Sequence, residues 1–242
     1  MFAFFVNYLE PLACLFYLAA VLLNYTQSRQ IRLLLLALFY FVSSVLFTIG
    51  SFLVKEKVSN IWTYDLVAFF AAVCIGVYFY FLLNTRAKKR TVVVLVSTYL
   101  LYVLTRQLTL QGPRLFDSIG YALLSASVVT YVFMYFHQVL KNVTELNILR
   151  EFNFWLASGY IIYFAGSFII FVTYFYLTKQ LMESDTVLNA PSVRADTHLL
   201  TALWGLHNVL LFVGAISLLL SSLWVNYRRK STSLSSPHFS SY

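Results

Sequence analysis

The chain has 242 residues with a formal charge of +8, and 60% of its residues are hydrophobic but only 11% charged. An ordinary soluble domain is about a quarter charged and just under half apolar, so too little polar surface is present here to cover a water-soluble core. Disorder is excluded for the opposite reason, since it needs low hydrophobicity and high charge density, and the mean hydropathy of +0.77 leaves a helical membrane protein as the class.

A spanning helix takes about 20 apolar residues, roughly 30 Å at 1.5 Å per residue. Seven apolar segments are expected as spans, at about 3–25, 31–54, 61–84, 91–110, 115–140, 151–178 and 198–225. Polar punctuation separates them: TQSRQ, KEK, NTRAKKR, QGPR, KNVTELN and the longer stretch 179–197. The runs are apolar on every face, whereas a membrane β-strand alternates in ten-residue pieces. The predicted fold is therefore all-α, a polytopic seven-transmembrane-helix bundle. It would occupy 1–225, followed by a disordered serine-rich cytoplasmic tail at 226–242.

Two spans have soft edges. Glu10-Pro11 interrupts the first, so residues 1–9 are open to reading as an interfacial piece, with Pro11 starting a shorter helix where its missing N–H does no harm. Asp117 and Gly120 sit near the start of the fifth. Cys14 and Cys74 both lie in apolar runs and read as small packing residues, with no spacing that suggests a metal. The sequons at Asn24 and Asn142 fall on the expected cytoplasmic side and are read as chance occurrences.

Orientation follows from the basic residues. Arg29, Arg32, Arg86, Lys88, Lys89, Arg90, Lys141, Arg150, Arg228, Arg229 and Lys230 fall on one side, against six on the other. The positive-inside rule places the eleven in the cytoplasm, with the N-terminus outside and the C-terminus inside. The chain is thus expected as a multi-pass protein of the inner (plasma) membrane whose first partner is the lipid bilayer. With the basic residues split among loops, no nucleic-acid surface is expected.

Ionisable groups at membrane depth are expensive and point to function by default. Glu10, Asp65, Arg106 and Asp117 gather at the outward helix ends with His198. They read either as an outward polar cup, with Arg106 balancing acidic charge, or as headgroup-level residues. In the seventh span Trp204, His207 and Asn208 are spaced i, i+3, i+4 and share a face one turn beyond Thr201. A mid-membrane imidazole needs a hydrogen-bond partner on a facing helix, so His207 is read either as a ligand contact, proton relay or axial cofactor ligand, or as interhelical glue. In the sixth span Asn153 lies near the cytoplasmic end, while Gly159 and Gly166, like Gly205 and Gly214 in the seventh, predict close helix approach. The tyrosines at 78, 80, 131, 135, 174 and 176 are expected at interfaces or against lipid.

No lysine lies in 198–225 for a retinal Schiff base, and only one histidine is deep, which disfavours a bis-histidine haem. HExxH, GxSxG and P-loop patterns do not occur in the sequence. No catalytic constellation, cofactor or metal is expected, and the chain is read as non-enzymatic.

Three stretches carry a family resemblance: NIWTYDLVAFFAAVCIGVYFYFLL at 60–83, LREFNFWLASGYIIYFAGSFIIFV at 149–172 and LLTALWGLHNVLLFVGAISLLLSSLW at 199–224. FDSIGYALLSASVVTYVFMYF at 116–136 fits the same order. Over about 31–225 the chain resembles uncharacterised seven-helix integral membrane proteins of Bacteroidetes, which are similar to membrane portions found beside, or fused to, sensor histidine kinases. The resemblance implies that Asn153, Trp155, His207 and Asn208 are polar and aromatic anchors and that a separate sensor histidine kinase or other signalling protein is the partner, since the residues after 225 are too few for a kinase domain. The expected function is sensory or signalling-accessory, binding a small or lipidic ligand. The alternative is a small-solute or proton-coupled transporter using Glu10, Asp65 and His207.

Overall fold

The computed structural model describes residues 2–109, 116–141, 148–183 and 191–234. Seven α-helices follow in chain order: α1 Phe2–Ser28, α2 Ile31–Lys55, α3 Ile61–Leu82, α4 Arg86–Thr109, α5 Ser118–Lys141, α6 Phe152–Glu183 and α7 Pro191–Leu234. Each contains a stretch long and apolar enough to cross a membrane. Large apolar side chains such as Leu38, Phe41, Phe81, Leu101, Phe133, Ile169 and Leu220 face outward. That surface is stable only against lipid, where the backbone polar groups are already satisfied within each helix.

The limits differ from the sequence reading in several places. α6 runs on to Glu183 and α7 begins at Pro191, so both take up parts of the 179–197 stretch expected as a connection. α1 is continuous from Phe2 and carries Pro11 inside it, so Pro11 does not open the helix. Its carbonyl instead accepts a hydrogen bond from Ser44 Oγ of α2 at 3.3 Å. α4 begins at Arg86, so the basic cluster taken as loop forms its first turns; Lys, Arg and Ala are good helix formers whose stems reach the interface. α5 begins at Ser118, not 115, because Asp117 caps it: its Oδ1 accepts the Gly120 N–H at 2.9 Å, an N-cap contact. α7 runs to Leu234, so 226–234 is helical and not disordered tail. The remainder of that tail, the 184–190 connection, the QGPR loop and the sequon at Asn142 lie outside the described residues.

Packing closes a ring. α1 contacts α2 and α7, α2 packs on α3, α3 on α5, α5 on α6 and α6 on α7. α4 lies outside, touching α3 and α5, with only Val92 and Tyr99 buried. Two glycines close the α6–α7 seam. A Cβ on Gly214 would stand 3.2 Å from the Gly159 carbonyl and 2.7 Å from Tyr17 Oη, so backbone and phenol fill the space a side chain would need. Gly166 abuts Leu210 in the same seam, whereas nothing approaches Gly205 within 4 Å; Gly205 makes none of the close contact expected of it. Tyr78, Tyr131 and Tyr135 are buried in the bundle and not against lipid, while Tyr80 and Tyr176 are exposed.

Candidate functional site

Six ring helices, all but α4, wall a central cavity of about 50 Å³. Its floor is a tyrosine cluster. Tyr17 and Tyr40 stack with centroids 4.7 Å apart, and the Tyr40 and Tyr160 hydroxyls share a 2.6 Å hydrogen bond. In that pair one O–H donates and the other proton has no acceptor between them. Phe39, Phe47 and Phe164 extend the aromatic wall, Ala68 and Ala71 of α3 make room, and Cys14, Ser43 and His207 reach the lining. The buried Ser43 Oγ and Tyr17 Oη have no hydrogen-bond partner. Cys14 is a free thiol and a cavity residue, a place that periodicity alone did not reveal.

Two polar centres adjoin this cavity: His207 lines it, and Glu10 is bonded to its lining residue Tyr64 without lining it. Glu10, buried in α1, accepts a 2.8 Å hydrogen bond from Tyr64 Oη of α3, and Asn208 of α7 interacts with the same carboxyl. His207, one residue earlier on α7, turns to α6: Nε2 lies 3.2 Å from Tyr163 Oη and Nδ1 3.1 Å from Ser167 Oγ. Each hydroxyl can donate or accept, so both ring nitrogens are satisfied in either tautomer. The shared face on α7 therefore divides, with Asn208 serving α1 and His207 serving α6. Trp204 covers both, 5.2 Å from the Tyr64 ring and 5.7 Å from His207 in an aromatic layer with Phe116. Thr201 is exposed.

The remaining candidates lie elsewhere. Arg106 Nη1 of α4 is 3.3 Å from both Asp65 Oδ1 and Asp117 Oδ2, and Tyr102 Oη donates to Asp117 Oδ1 at 2.7 Å. These residues form an ionic knot holding α4 to α3 and α5. Glu10 is not in it, so the residues expected to form one cup make two centres. His198 is exposed. Asn153 is about 15–20 Å along α6 from Tyr163 and Ser167 at 1.5 Å per residue, and its Oδ1 accepts from Tyr78 Oη at 2.7 Å. That phenol is its partner across the α3–α6 approach. Asn24 is buried, its Nδ2 donating to the Ala20 carbonyl.

Sequence reasoning missed Tyr64, Tyr163, Ser167 and Ser43. Each sits on a helix whose exposed and buried faces are both apolar, so no periodicity marks it. Among the described residues, no group of three His, Cys, Asp or Glu side chains could hold a metal ion. The fold and site define a polytopic seven-helix membrane protein with a polar-edged aromatic cavity. No family model, curated protein or solved structure matches the chain.

Proposed function

We propose that the chain is a non-enzymatic, seven-helix protein of the inner membrane with a sensory or signalling-accessory role, and that it takes a small ligand into the central cavity. The cavity walled by six helices carries this reading. A molecule there touches nearly every helix of the ring, so it biases their packing through differential contacts. All six helices run unbroken past it, whereas transporters place their sites at discontinuous helices. In the proposed orientation the signal emerges in the cytoplasm, where the α3–α4 turn is tied to α5: Gln138 Oε1 accepts the Asn84 N–H at 2.9 Å, and Lys88 Nζ donates to the Met134 carbonyl at 2.9 Å. The proposed partner is a separate sensor histidine kinase or a comparable regulator.

Purification from native membranes in mild detergent tests this. One such regulator should co-purify in stoichiometric amount, and Ala71→Leu, which fills the cavity, should change its recovery without unfolding the protein. Recovery of the chain alone across several detergents overturns the sensory reading. The buried Glu10 favours a second reading, proton-coupled transport. That reading predicts substrate-dependent pH change in proteoliposomes that Glu10→Gln abolishes.

A further inference from the structure

We infer that the cavity takes a small organic cation, an alkylammonium, with the buried Glu10 carboxyl as its counter-ion. The inference rests on the cavity being a binding site, as proposed above. Among the described residues, no Lys, Arg or His forms an ion pair with Glu10; both ion pairs belong to Arg106 with Asp65 and Asp117. The groups around the Glu10 carboxyl are Tyr64 from α3 and Asn208 from α7, with Cys14 on its own helix and Tyr121 and Tyr163 from α5 and α6 within electrostatic range. None brings a positive charge. His207 is the nearby base, and its ring nitrogens are engaged by Tyr163 and Ser167. A buried carboxyl without a cation avoids the desolvation cost, several kcal/mol in order of magnitude, by staying protonated; a bound ammonium is the partner that lets it ionise.

Glu10 is not itself a lining residue, but the stretch of cavity wall next to it suits such a partner. Tyr64, which donates to the carboxyl, also lines the cavity, as does Cys14 one helical turn from Glu10. The rings of Tyr17, Tyr40, Phe47 and Tyr163 supply faces that attract organic cations. Ser43 Oγ is an unused acceptor for an ammonium N–H. A hard inorganic cation requires a shell of roughly six oxygen ligands, which rings and alanines do not provide. At about 10–15 Å³ per water site, the cavity of about 50 Å³ accommodates a ligand of only a few heavy atoms.

Thermal melting of the full chain in detergent at pH 7 tests this with n-butylammonium and 1-butanol as matched charged and neutral probes, titrated to millimolar levels. Butylammonium should raise Tm in a saturable way and butanol should not. Glu10→Gln should weaken the apparent butylammonium affinity at least tenfold, Ala71→Leu should abolish the effect, and Asp65→Asn should retain it. Equal stabilisation by both probes, or an unaltered affinity in Glu10→Gln, overturns the counter-ion assignment and leaves the cavity as a site for neutral ligands. No stabilisation by either probe overturns the inference and removes support from the cavity reading as well. If Glu10→Gln does not fold, the wild-type contrast between charged and neutral probe decides the charge and Ala71→Leu decides the location.

Discussion

Two acidic centres lie near the same end of the bundle, and they are balanced in opposite ways. Asp65 and Asp117 share one guanidinium, and Asp117 also receives a phenol and a backbone N–H. Glu10 receives a phenol and an amide and no ion pair. The first arrangement is closed: its charges and hydrogen bonds hold α4, the least buried helix, to α3 and α5. The second is open: no cationic side chain among the described residues pairs with its carboxyl. The difference separates an acid that holds helices together from one that, on the proposal above, is available to a ligand, although both are carboxylates near the same helix ends.

The contrast breaks most severely at Arg106. Arg106→Leu leaves two carboxylates without their cation and should cost about 3 kcal/mol, read as a lower Tm and greater protease access at α4. An Arg106→Leu protein as stable as wild type would mean that the knot is not closed. Next, neutralising each acid should act in opposite directions. Asp117→Asn keeps an N-cap but loses the ion pair, at a cost of about 2 kcal/mol. Glu10→Gln removes an acid that pairs with no cationic side chain among the described residues and should leave ligand-free stability unchanged or raise it; an equal loss in both variants erases the distinction. Removing one phenol from each centre sharpens it further. Tyr64→Phe should cost about 1.5 kcal/mol and Tyr102→Phe about half of that, because Asp117 retains Arg106 and the Gly120 N–H. The smallest effect is ionic. Salt should weaken the partly exposed knot by under about 1 kcal/mol in wild type and have no such effect in Arg106→Leu.

Outside these centres, His207 is legible in the sequence only up to a point. Its depth and its need for a partner follow from position in the seventh apolar run. That the partners are Tyr163 and Ser167 follows from the α6–α7 crossing at Gly159 and Gly214. The glycine pattern predicts a close approach but not which face of α6 comes to rest against the histidine. Asn153 shows the same limit: its helix end was clear, and its tyrosine partner on α3 was not.

The sequence by itself determined that seven apolar helices form and roughly where they begin and end. Length and hydropathy are local quantities, and every helix satisfies its own backbone. Even so, Pro11, the basic turn of α4 and the extension of α7 show that loop-like composition does not end a helix when its residues tolerate helical geometry. Only the tertiary structure decided which helices meet, that α4 stands outside the ring, that Arg106 joins Asp65 and Asp117, and that Glu10 turns to Tyr64 beside an aromatic cavity. With lipid on one side and protein on the other, both faces of a membrane helix are apolar. The inward face therefore carries no periodic signal, and the partners of each buried polar group are fixed by packing alone.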